Sequence, residues 1–135
     1  KTLGVRLEAQ QASAQKIAQW LREQPKVNHV YYPGFPDHPG RAIHFGQASG
    51  AGAIVSFELP DGPAAMAFLK RVRLPLVAVS LGGVESILSH PATMSHAALP
   101  PAARRARAIS DGLVRLSVGL EDADDLMADI SNALG

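Results

Sequence analysis

Apolar positions along this chain switch between two periods. Leu3, Leu7, Ala14, Ile17, Ala18 and Leu21 fall on one stripe at helical spacing. That stripe predicts a helix over residues 3–24, ended by Pro25. Val27 to Tyr32 reads as a short strand. Residues 33–41, PGFPDHPGR, hold three prolines and two glycines and read as a loop. Ala42 to Gln47 allows a short helix, and Ser49 to Gly52 is a glycine turn. Ala53 to Leu59 (AIVSFEL) has the β-branched alternation of a strand. PDGP then opens a helix over Pro63 to Arg71, with proline in its first turn. Leu76 to Ser80 predicts another strand. Leu81 to Leu99 shows no clean period and reads as a structured loop. Pro100 to Ile109 predicts a short helix with a basic end, and residues 110–112 a turn. Leu113 to Val118 is the last strand and Asp122 to Leu134 the last helix, with Asp122, Asp124 and Asp125 at its start.

About four strands interleaved with helices predict an α/β (α+β) sandwich, a sheet with helices on one side. The stretch LVRLSVGLED, residues 113–122, alternates in a way that raises a question of chemistry. Val114, Leu116, Val118 and Leu120 take one face; Leu113, Arg115, Ser117 and Gly119 take the other. A guanidinium therefore stands in the middle of the second face. The ordinary reading is an exposed arginine on solvated sheet. The functional reading is a rigid fork for a carboxylate, because planar donors match two carboxylate oxygens. Spacing alone leaves both open.

Composition narrows the remaining choices. The 135 residues suit one domain with its own core, and 47% hydrophobic against 19% charged is an ordinary globular balance. A net charge of +1 marks neither a nucleic-acid nor an anionic-membrane partner. The chain has no cysteine, which excludes disulfides, zinc–thiolate sites and a cysteine nucleophile. No apolar run approaches a membrane span, and nothing resembles a signal peptide. The chain starts at Lys1 rather than Met, with no helix cap before it. We therefore expect a piece of a longer protein.

Other polar motifs carry less. SLGG, residues 80–83, offers the Ser80 hydroxyl and close-approach backbone, but a tight turn is the more common explanation, and it is not a nucleophile elbow. SGAG, residues 49–52, precedes a strand rather than opening a helix, so a phosphate-binding loop is rejected. His29, His38, His44, His90 and His96 form no metal-binding helix pair. HPATMSH reads as a loop folded back on itself. Glu85 reads as a turn or cap residue. EDADD is a helix start without calcium-loop spacing, and RRAR is too short for nucleic acid.

Five stretches together resemble a known family. KTLGVRLE, VYYPGFPDHPG, GAIVSFEL, AVSLGGVESILSHPATMSH and ISDGLVRLSVGLEDADDLMADI are similar to the carboxy-terminal domain of the Cys/Met-metabolism (transsulfuration) enzymes. These are pyridoxal-phosphate enzymes: cystathionine γ-synthase, cystathionine β- and γ-lyases, and methionine γ-lyase. The resemblance runs from Lys1 to Leu134. It implies that residues 1–135 are one carboxy-terminal domain of fold-type I, mostly antiparallel, with the large cofactor-binding domain upstream. It implies that Arg115 grips the substrate's α-carboxylate and that Ser80 lies beside it. Leu81 takes a place where some β-lyases carry tryptophan, and Val79 takes one that varies with substrate. The cofactor, pyridoxal 5′-phosphate, would be held by a lysine outside this chain. Lys1, Lys16, Lys26 and Lys70 do not sit in the family's lysine motif, so these residues alone would be inactive. The family implies a cytoplasmic homotetramer acting on sulfur amino acids. It points first to a cystathionine lyase; γ-synthase chemistry or a non-catalytic assembly domain are the alternatives.

Overall fold

The computed structural model describes residues 1–135. The elements in chain order are α1 (Leu3–Leu21), β1 (His29–Tyr31), α2 (Arg41–Phe45), β2 (Ile54–Glu58), α3 (Gly62–Arg71), β3 (Leu76–Val77), β4 (Ile87–Ser89), α4 (Pro101–Arg105), β5 (Leu113–Ser117) and α5 (Ala123–Leu134). The strands form one five-stranded sheet in the order β1-β2-β5-β4-β3. Every neighbouring pair is antiparallel except β3 with β4, which run parallel.

The expected α/β (α+β) sandwich is present, with one more strand than the pattern predicts. The addition is β4, which lies inside the stretch expected to be loop. Its three residues are all buried, so no alternation marks it. The strand expected over residues 76–80 shortens to Leu76–Val77. Leu120, expected on the core face, is 45% exposed, because the strand ends at Ser117 and the chain turns at Gly119.

One face of the sheet makes the core. Val30, Val55, Phe57, Leu88, Val114 and Leu116 project from it into a cluster shared with α1, α3 and α5. Phe57 meets Phe68 edge-on at 5.7 Å between ring centroids. Ala14, Ile17, Ala18 and Leu21 bring α1 into that cluster as their stripe predicts. The same stripe overreaches at its start: Leu3 and Leu7 are 61% and 44% exposed, where α1 runs beyond the sheet. Residues 22–24, expected to continue α1, lie beyond its end; Pro25 cannot continue it and disfavours helical backbone before itself. The other major helices start on aspartates. Asp61 accepts a hydrogen bond from the Ala64 amide at 2.8 Å, and Asp122 accepts one from the Asp124 amide at 2.8 Å.

The two faces of β5 thus differ in kind. Leu116→Ala should lower stability by about 2–5 kcal/mol by opening a core cavity. Leu113→Ala, on the half-buried opposite face, should cost clearly less. Urea unfolding of the two variants checks the difference.

Candidate active site

The face of the sheet away from the helices carries a polar row. Strand register aligns Tyr31 on β1, Ser56 on β2, Arg115 on β5 and Ser89 on β4 across it. Arg115 sits at the middle of the central strand, so pairing on both edges fixes where its side chain leaves the sheet. Burial and the neighbouring Glu58 carboxylate hold the Tyr31 phenol above its ordinary pKa.

The Arg115 guanidinium donates from Nη2 to the Ser80 carbonyl oxygen at 3.0 Å. No acidic side chain of the chain forms an ion pair with it. Ser80 itself is exposed, as are its neighbours Val79 and Leu81, at 66% and 55%. The structure therefore brings all four sequence-predicted residues together, with Arg115 under the loop and Val79, Ser80 and Leu81 along it. The result is a strand-mounted cation on the Ser80 backbone carbonyl, with the exposed side chains of Val79, Ser80 and Leu81 on the same segment. Chemically, the arrangement offers a cation without an acidic partner next to exposed apolar side chains.

The loop is held by groups that sequence reasoning missed. The Gly82 amide donates to Ser117 Oγ at 2.8 Å, and Gln10 of α1 donates from Nε2 to the Gly83 carbonyl at 2.7 Å. The Leu120 amide donates to the Val84 carbonyl at 2.7 Å. Gly82 has φ +76°, a left-handed conformation that glycine adopts without strain. Below the loop, the Glu121 carboxylate accepts from the Ser86 amide at 2.7 Å and from Ser86 Oγ at 2.8 Å. Ser86 Oγ in turn accepts from the Gly119 amide at 2.8 Å. The acidic run was expected only to start a helix; its first member, Glu121, instead ties the loop's exit to the end of β5. A weak signal existed, since Glu121 precedes the capping Asp122 and so stands outside the helix.

His90 is buried, pairing Nδ1 with Thr93 Oγ1 at 2.8 Å and Nε2 with the Asp111 carbonyl at 2.7 Å. Its loop folds back on itself, and no group of three metal-ligating side chains comes together. Glu85 is exposed in the turn before β4. A larger cavity of about 770 Å³ lies at the opposite end of β5. Within it, Ser110 donates to Glu58 and Arg104 Nη2 to Asp111, while Arg104 Nε has no partner. No helix is long and apolar enough to cross a membrane.

A five-stranded mixed sheet packed on α1, α3 and α5 makes a small α/β domain, the architecture of the matching domain in solved cystathionine lyases. The chain belongs to the Cys/Met metabolism PLP-dependent enzyme family, whose model matches residues 1–135. It is 55% identical over 134 residues to cystathionine β-lyase of Bacillus subtilis (strain 168), covering 99% of this chain and 34% of that protein. It is 46% identical to cystathionine γ-lyase of the same organism, covering 99% of this chain and 35% of that protein. Among solved structures, cystathionine γ-lyase (CalE6) from Micromonospora echinospora superposes with a TM-score of 0.94 at 47% identity, over 98% of this chain and 35% of that one. Cystathionine γ-synthase from Xanthomonas oryzae pv. oryzae, solved in complex with cystathionine, gives 0.92 at 48% identity, over 98% and 35%. The chain spans about a third of the length of the curated relatives it matches.

Pyridoxal phosphate is the family's cofactor, and the residues present divide sharply in their fit to it. Lys16 is paired with Asp124 across α1 and α5, at 2.8 Å. Lys26 donates to the Leu134 carbonyl at 2.9 Å and to the Gly135 carbonyl. Lys70 lies on α3, and Lys1 precedes α1. None stands in the Arg115–Ser80 cluster, so this chain's donors do not fit covalent attachment of an aldehyde cofactor.

Gly119 tests the loop's anchorage. A Cβ there would lie 2.4 Å from the Ser86 amide nitrogen and 2.5 Å from the Glu85 carbonyl carbon, both backbone. Gly119→Ala should destabilise by about 1–3 kcal/mol or more. It should also speed hydrogen exchange at the Gly82 amide, read by mass spectrometry.

Proposed function

We propose that residues 1–135 are the carboxy-terminal domain of a pyridoxal-phosphate-dependent cystathionine lyase and supply the site for the substrate's α-carboxylate. One observation carries this reading: Arg115 is fixed on a central strand, free of any acidic partner, beside an exposed serine. Arg115 would bind both carboxylate oxygens, because its planar donors match their geometry and its charge strengthens each bond. Ser80 would add a hydroxyl donor at the same carboxylate. Holding the carboxylate fixes the amino acid's orientation about its α-carbon, so the scissile bonds are aligned before reaction. Val79 and Leu81, exposed on either side, would face the substrate's side chain and bear on which sulfur amino acid is accepted.

The cofactor, held by a domain beyond these residues, supplies an electron sink for charge at the α-carbon. No lysine here fits that attachment, so residues 1–135 by themselves are read as inactive. Exposed Leu76, Val77, Val79, Leu81, Val84 and Leu120 support burial of this edge against further protein. We read the whole protein as a cytoplasmic homo-oligomer, a tetramer by analogy with the family.

The lyase reading is supported by the likeness to a β-lyase and a γ-lyase. γ-Replacement is the second reading, supported by the likeness to a γ-synthase solved with cystathionine. Incubating the full-length enzyme with cystathionine separates them. Pyruvate marks β-elimination, 2-oxobutanoate marks γ-elimination, and neither keto acid favours the synthase.

Arg115→Ala in the full-length enzyme should raise KM about 10- to 100-fold, the worth of hydrogen bonds to a charged group. The cofactor's yellow absorbance should persist. A variant that loses colour but keeps its KM would overturn the assignment.

A further inference from the structure

Four buried side-chain atoms have no hydrogen-bond partner, Arg6 Nε, Arg104 Nε, Ser89 Oγ and Arg115 Nε, and the last two share the sheet face opposite the helical core. They belong to register partners across β4 and β5. Ser89 is 2% exposed, so solvent does not satisfy its hydroxyl. Side chains directly opposite in an antiparallel pair have Cβ atoms about 4.5–5.5 Å apart. A serine hydroxyl rotates among staggered positions at small cost. Arg Nε–H only donates, and Ser Oγ accepts, so the two orphans are chemically complementary. Left apart, each is desolvated without compensation.

The guanidinium's single bond explains why they stand apart. Nη2 is drawn to the neutral Ser80 carbonyl. An incoming carboxylate makes a stronger, charge-assisted pair with the Nη edge and competes with that carbonyl. Once the fork turns to meet it, its Nε–H needs an acceptor among the strand neighbours. On the β2 side Ser56 is only half-buried and open to water. On the β4 side Ser89 is buried and waiting.

We infer that Ser89 is a positioning residue for Arg115: with a carboxylate on the Nη edge, the Ser89 hydroxyl accepts the Nε–H and fixes the plane of the fork. The inference rests on the carboxylate-site reading of Arg115. It explains why a buried hydroxyl is kept on a strand where alanine or valine would satisfy packing.

The test uses the full-length holoenzyme with Ser89→Ala, Ser89→Thr and Arg115→Ala. Steady-state kinetics with cystathionine are paired with calorimetric titration of glycine, which carries the carboxylate but has nothing to eliminate. Ser89→Ala should raise KM and the glycine Kd about tenfold, one hydrogen bond to a charged group, with the effect confined to KM rather than kcat. Ser89→Thr, which restores the hydroxyl on a β-branched side chain, should return both to within about twofold of the parent. The Tm of Ser89→Ala should be unchanged or higher, because the free protein loses no bond. An unchanged KM and glycine Kd in Ser89→Ala, with a raised KM in Arg115→Ala, overturns the role of Ser89 and leaves the carboxylate site standing. A normal KM in Arg115→Ala overturns both. A sharp fall in Tm for Ser89→Ala without rescue by threonine also overturns the inference, since the hydroxyl would then be structural.

Discussion

Arg115 stands at the middle of β5, a strand paired on both edges. Its guanidinium therefore cannot leave the sheet face on which register places it. The same register drives Val114 and Leu116 into the core on the opposite face. A slip of one residue would expose the leucine and bury the guanidinium, so the hydrophobic core enforces the position of the cation. Site and stability are coupled through one strand. That coupling fixes the point at which the Arg115 side chain leaves the sheet.

The loop over Arg115 gets its shape from farther away. Gln10 reaches Gly83 across 73 residues of sequence, and Ser117 reaches Gly82 across 35. Glu121 closes the base through Ser86, and Gly119 leaves the room for that contact. These bonds all fall after Ser80, so the loop is gripped at its exit while Val79, Ser80 and Leu81 stay open. Rigid support with an open lip suits a site that recognises one common group and leaves neighbouring positions to discriminate.

Free bonding capacity locates the site better than size does. The cavity at the far end of β5 is roomy, yet Glu58, Arg104 and Asp111 there spend their charges on one another or on nearby hydroxyls. On the helix-free face, Arg115 has no acid, and Ser89 has no partner at all. What sets Ser89 Oγ and Arg115 Nε apart from the other unpaired buried atoms is that an acceptor and a donor stand on register partners.

The sequence by itself determined the elements with strong periods and clear punctuation. The alternation of AIVSFEL and LVRLS set two central strands and the side on which Arg115 would lie. Prolines and aspartates marked where helices stop and start, and the stretch around SLGG carried the family likeness. Local chemistry suffices there, because periodicity and capping act between residues a few positions apart. Only the tertiary structure decided the rest. Ile87–Ser89 became a strand because both of its faces are covered, and full burial erases the alternation that would have announced it. Gln10, Ser86, Ser89 and Glu121 took their roles from partners distant in the chain, and no local pattern encodes which distant groups will meet. Arg115 stood in the sequence from the start; the register that set Ser89 beside it arose only when β4 and β5 paired.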